Sequence, residues 1–138
     1  VAVFMEETQE FGGTPVQYAA LSAVLRQPGV DQRTLARMIG FDTSTIGSVI
    51  DRLEARSLMV RNTSPADRRV RLLSVTAEGA ALLAAAEPSV LRAQQRMLEP
   101  LPQEQRGLFM DMMAVLVRQN DELARAPSTL AARRAAAD

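Results

Sequence analysis

Thr34-Leu35-Ala36-Arg37-Met38-Ile39-Gly40-Phe41-Asp42-Thr43-Ser44-Thr45-Ile46-Gly47-Ser48-Val49-Ile50 is the stretch that decides the fold. Leu35, Met38 and Ile39 mark the buried side of one helix. Ile46, Val49, Ile50 and Leu53 recur at helical spacing on a second, roughly 43–56. Asp31 is placed to cap the first helix, and Asp42 or Thr43 the second. Gly40 supplies the left-handed backbone of a tight turn, and Ala36 is small enough for two steeply crossing helices to touch. The opposite face of the second helix holds Ser44, Thr45, Ser48 and Arg52, and Gly47 among them lets a backbone approach closely. Hydroxyls reach phosphates and base edges, and Arg clamps guanine, so this face suits a major groove. Thr43, Ser44, Thr45, Gly47, Ser48 and Arg52 are therefore candidate DNA contacts. Taken alone, the helix fits an ordinary solvated polar face equally well.

The pattern changes downstream. Leu58–Asn62 and Val70–Val75 read as strands, and the polar Thr63–Arg69 between them reads as a hairpin loop. Asp67-Arg68-Arg69 stands at its tip, where an Arg can enter a narrow minor groove. Asp67 can hold Arg69 by a charge-assisted bond. A lone Asp-x-Arg is commonly a solvated ion pair worth at most ~1 kcal/mol. Its position just after a helix-turn-helix points to a wing instead. The predicted fold is mainly α with a small β-hairpin: a winged helix-turn-helix plus a helical region.

Upstream, residues 1–11 read as a short helix stopped by Gly12-Gly13. Thr14-Pro15-Val16-Gln17 opens the next helix as a capping box, and Pro28-Gly29 ends it. Further on, Thr76 caps a long helix through the Ala80–Ala86 run, which Pro88 is expected to kink or interrupt. Pro102 is placed to open a last helix, where Phe109, Met112, Met113, Leu116 and Val117 form one apolar stripe, widened by Leu108 and Val115. Pro127 is expected to end it, and 128–138 reads as an Ala/Arg-rich tail.

Composition narrows the function. The 138 residues suit one domain, and 47% apolar content is enough to bury a core. Cys and His are both absent, which excludes disulfides, thiol chemistry, and the commonest general base and zinc ligand. No Gly-x-Ser-x-Gly and no metal cluster accompany the Ser and Asp residues, so neither an enzyme nor a cofactor is expected. No apolar run spans a membrane. Val1–Glu7 lacks the basic-then-apolar pattern of a secretory signal, and the absence of Cys makes a cytoplasmic setting the expected one. The net charge is zero, yet residues 26–71 hold nine Arg against five acids. The middle third is thus the electropositive part. Every basic residue is Arg, and the high Ala content points to GC-rich codon usage as the cause.

Three segments carry a resemblance: Thr14-Pro15-Val16-Gln17-Tyr18-Ala19-Ala20-Leu21, Asp51–Arg61, and Asp67-Arg68-Arg69 followed by Leu73–Gly79. Together they resemble the MarR family of bacterial regulators over about residues 14–120. The resemblance implies a homodimer on a pseudo-palindromic double-stranded operator, usually as a repressor released by a small ligand. It implies a DNA-binding region at 14–77 and a helical dimerisation region at 1–13 and 78–138. It places Tyr18 at a pocket-lining aromatic position with Phe11 nearby, although Tyr18 equally fits a core aromatic. Lacking Cys and His, the chain falls outside the peroxide- and zinc-sensing branches. Gly29–Gln32 and Ser44–Gly47 look like members near aromatic catabolism genes, which suggests a phenolic acid or its thioester as effector. Two other readings compete. A winged helix can serve protein or RNA contact without an operator. A plain helical bundle leaves the strand–loop–strand segment unexplained.

Overall fold

Side-chain caps start the helices where the sequence places them. In the computed structural model, which describes residues 1–125, Asp31 accepts from the Thr34 N–H at 2.7 Å and from its hydroxyl at 2.8 Å. Asp42 repeats the motif on Thr45, at 2.8 and 2.7 Å. Gly40 between them is left-handed at φ 76°. These caps define α3 (Gln32–Ile39) and α4 (Thr43–Ala55). They are preceded by α1 (Ala2–Glu7), a 3-10 turn (Gln9–Phe11) and α2 (Pro15–Arg26). They are followed by β1 (Met59–Thr63), β2 (Arg71–Val75), α5 (Ala77–Leu98) and α6 (Gln103–Arg125).

Leu21 and Val24 of α2, Leu35 of α3, and Ile46, Ile50 and Leu53 of α4 close over one another with Met59 and Leu73 of the hairpin, all essentially inaccessible. The strands pair antiparallel with Arg61 opposite Leu73, one residue later at β1 than the sequence suggests. The α2–α3 loop also joins β2: the Gly29 N–H donates to the Leu73 carbonyl at 2.8 Å, and the Leu73 N–H to that of Val30 at 2.9 Å. Both edges of β2 are therefore held.

Three expectations are corrected. Thr14 does cap α2, but Gln17 does not close a capping box; its amide oxygen accepts from Arg56 instead. A distant guanidinium outcompetes a neighbouring N–H because a charged donor makes the stronger bond. Pro88 does not interrupt α5, which is helical from Ala77 to Leu98. Pro88 and Ala84 are both exposed, so water can satisfy the carbonyl that Pro88 leaves without a partner. The N-terminal helix also breaks early, at Thr8, whose hydroxyl donates to the Phe4 carbonyl at 2.8 Å. Pro102 directly precedes α6, with its carbonyl accepting from Gln105. The expected stop at Pro127 and the tail lie outside the described residues.

The chain divides into two compact units, Val1–Met97 and a second beginning at Leu98. Within the first, Glu7 pairs with Arg92 and Arg96, and Glu6 with Arg96, which staples α1 to α5. These guanidiniums, Arg96 foremost, hold the Glu7 carboxyl below its usual range. In the second unit the apolar side chains of α6 from Leu108 to Val117 are exposed.

The hairpin meets α5 at one tight point. Thr76 donates its hydroxyl to the Ser57 carbonyl at 2.7 Å, and its N–H to that of Leu58 at 3.1 Å. Gly79 sits against that same Leu58 carbonyl, so an added methyl group would collide with backbone oxygen and with Val75. Gly79→Ala should therefore lower stability by about 1–3 kcal/mol. Urea denaturation checks this, and an unchanged midpoint would contradict the packing at this junction.

Candidate nucleic-acid interface

The buried stripe of α4 turns its other side to solvent. Thr43, Ser44, Thr45, Ser48 and Arg52 are all exposed. Two of their hydroxyls already have local acceptors. Thr45 donates to Asp42, and Ser48 donates to the Ser44 carbonyl at 3.4 Å. The Asp42 carboxyl is held below its usual range by Thr45, whose hydroxyl contributes most and whose N–H adds to it. Gly47 is half-buried and faces protein: an added Cβ would come within 3.1 Å of the Gln32 amide.

Arg69 is nine-tenths exposed, yet its geometry is defined. Its backbone N–H, Nε and Nη2 all donate to the Asp67 carboxylate, at 3.0, 3.1 and 3.2 Å. These bonds, the side-chain ones first, lower the Asp67 pKa. Such an exposed pair adds little stability, but it narrows the rotamers of Arg69 before any ligand arrives. Arg68 beside it is exposed.

The wing and α4 share one cleft of about 690 Å³, bordered by Thr43 on one side and by Asp67 and Arg69 on the other. Arg33 at the start of α3 and Arg71 of β2 also line it. Sequence reasoning counted both in the electropositive segment without placing them. The cleft's two acids are already engaged: Asp67 holds Arg69, and Asp31 caps α3. Burial alone would raise the Asp31 pKa, but the Thr34 bonds, the charge of Arg37 and the Arg33 N–H together outweigh it and the net shift is downward. A surface of three guanidiniums with internally compensated carboxylates is suited to phosphate.

Arg61 also escaped the sequence reading. From β1 it donates to Asp51 at 2.5 Å, to Glu54 at 2.6 Å and to the Gly47 carbonyl at 3.0 Å. These acceptors lie at i, i+4 and i+7 along α4, so one guanidinium fixes the hairpin to that helix. Arg56 does the same at the far end of α4, donating to Gln17 at 3.1 Å and to the Phe11 carbonyl at 2.8 Å.

A second cleft, about 440 Å³, lies between α2 and α5 and is lined by Tyr18, Ser22, Leu83, Glu87, Val90 and Leu91 among others. Phe11 is not part of its lining. Tyr18 is buried, donates its hydroxyl to the Gly12 carbonyl at 3.0 Å, and packs edge-on against Phe4 at 5.3 Å. Burial raises its pKa, with the charge of Arg56 opposing.

Residues 11–70 match the sequence profile of the MarR family. A transcriptional regulatory protein for the hcr operon of Thauera aromatica is 37% identical over 111 residues, covering 80% of this chain and 67% of that protein. The chain belongs to the MarR family. It is a transcriptional regulator with a winged helix-turn-helix. Among MarR-family structures, the repressor CouR bound to a 23-mer DNA duplex matches with a TM-score of 0.75 and 32% identity, over 82% of this chain and 80% of that one. Bordetella bronchiseptica BpsR, whose DNA binding is regulated by 6-hydroxynicotinic acid, matches with a TM-score of 0.75 and 26% identity, over 83% and 82%. Among the described residues no helix is long and apolar enough to cross a membrane, and no acidic cluster could hold a metal.

The Arg61 bonds predict a specific phenotype for this MarR-family chain. Arg61→Ala should weaken DNA binding about fivefold, roughly 1 kcal/mol. The slope of affinity against salt should stay unchanged, because Arg61 faces protein and releases no counterion. Fluorescence anisotropy across a salt series reads both quantities; a reduced slope would make Arg61 a phosphate ligand instead.

Proposed function

We propose that this chain is a homodimeric repressor that binds a pseudo-palindromic operator and is released by a small aromatic effector, an aromatic acid or its derivative. The observation that carries the DNA half is the shared cleft: Thr43 opens α4 on one side of it, and Arg69 closes it from the wing. On this reading Ser44, Thr45, Ser48 and Arg52 meet base edges and phosphates in the major groove. Gly47 keeps the helix close to its neighbours. Asp67 orients Arg69, which with Arg68 reaches the minor groove. CouR, a repressor bound to duplex DNA, supports this assignment. BpsR supports the effector, and Tyr18, which lines the second cleft where Phe11 does not, belongs to the effector side. Residues 14–77 serve DNA binding and the flanking ends serve dimerisation.

The homodimer is supported by α6. A helix leaving Leu108, Phe109, Met112, Met113, Leu116 and Val117 exposed on its own calls for an apolar partner. Two copies would set their recognition helices about 34 Å apart, one turn of duplex. We place the protein in the cytoplasm and assign it no catalysis and no cofactor.

The first test is a gel shift with DNA upstream of the chain's own gene. Arg69→Ala should weaken binding roughly tenfold and reduce the salt slope by about 0.9 per wing. Unchanged affinity and slope would remove the wing from the interface. Absence of any shift would favour protein or RNA contact. Separately, Leu116→Arg should convert a dimer to monomer in light scattering, because an unpaired charge would enter an apolar interface. A variant that remains dimeric would place the interface elsewhere.

A further inference from the structure

A helix in the major groove and a wing in the next minor groove must straddle one sugar–phosphate ridge, because that ridge is what separates the two grooves. On this chain the gap they straddle is the cleft of about 690 Å³, with Thr43 of α4 on one side and Arg69 of the wing on the other. Arg33 and Arg71 line the gap, yet neither stands on α4 or at the tip of the wing. Backbone bonds bring the two together. Asp31 bridges to Leu72, and the Leu73 N–H donates to the Val30 carbonyl, so the start of α3 lies along β2. Both arginines are exposed, and the side chain of neither makes a hydrogen bond or ion pair among the described residues. Arg56, Arg61, Arg92 and Arg96, by contrast, are all bonded within the fold. The carboxylates of the cleft are engaged elsewhere, Asp31 with Thr34 and Asp67 with Arg69. The start of α3 offers no anion site of its own, because Asp31 already takes the Thr34 N–H. Guanidiniums set around one gap repel each other. A phosphate relieves that repulsion and can accept two N–H bonds from each.

We propose that Arg33 and Arg71 are phosphate ligands that seat the sugar–phosphate ridge between the groove read by α4 and the groove entered by Arg69. They read no base and supply affinity that is independent of sequence. This rests on the operator-binding function described above and adds to it two contacts and the strand segment they hold.

The test uses the full chain, duplex DNA from upstream of its own gene, and a scrambled duplex of the same length, with anisotropy across a salt series. Arg33→Ala and Arg71→Ala should each weaken binding roughly fivefold and lower the salt slope by about 0.9 per protomer. The ratio of operator to scrambled affinity should stay constant, because a phosphate carries no sequence information. Arg33→Lys and Arg71→Lys should restore the slope, and the thermal midpoint of all four variants should match that of the parent chain. Replacing single phosphates of the operator by neutral methylphosphonates locates the ridge. The replacements that weaken the parent chain but not Arg33→Ala or Arg71→Ala should fall between the bases protected by α4 and the step reached by Arg69. A slope unmoved by either alanine variant would overturn the proposal, as would a changed affinity ratio, which would make the residue a base contact. If Arg69→Ala lowers the slope while Arg33→Ala and Arg71→Ala do not, the ridge assignment falls and operator binding stands. A parent chain that binds neither duplex would overturn both.

Discussion

Burial of Ile46, Ile50 and Leu53 is the constraint on which the rest depends. Once those side chains are driven out of water against Leu21, Leu35 and Leu73, the rotation of α4 about its axis is settled. Every side chain between the buried positions must then point away. The exposure of Ser44, Ser48 and Arg52 follows from hydrophobic packing on the far side of the same helix. The candidate interface is in this sense a by-product of the core.

Orientation of α4 alone would leave the wing free to swing. The structure removes that freedom at several points. Arg61 reaches three acceptors along one side of α4, β2 is held by the α2–α3 loop on its outer edge, and the Leu58 carbonyl receives Thr76 where Gly79 leaves no room to shift. Each contact is modest by itself. Together they limit how the cleft between Thr43 and Arg69 can open, and a cleft of defined width can match a duplex backbone with less ordering cost on binding.

The even charge balance conceals a division of labour. Arg61, Arg92 and Arg96 are tied to carboxylates and act as internal struts. The side chains of Arg33, Arg52, Arg68 and Arg71 make no hydrogen bond or ion pair among the described residues and are exposed. Arg69 stands between, oriented by Asp67 but still nine-tenths exposed. Zero net charge is therefore compatible with a basic cleft, because most acids near it are spent on caps and struts.

Local chemistry was legible in the sequence. The Asp31 and Asp42 caps, the turn at Gly40, the buried periodicity of α4 and the hairpin with Asp67-Arg68-Arg69 at its tip all depend on residues within one or two turns of each other. The matter of which arginine is a strut and which is free was not legible, since Arg61 finds acceptors up to fourteen residues away and Arg56 reaches Gln17 across thirty-nine. The continuity of α5 through Pro88 was hidden for the same reason: the fate of a broken backbone bond depends on whether the surrounding fold leaves it open to water. By itself, then, the sequence determined the elements, their caps and the polar face of the recognition helix. Only the tertiary structure decided how wing and helix are joined, which charges cancel, and which side chains border each cleft, because those are properties of distances between segments that no spacing along the chain encodes.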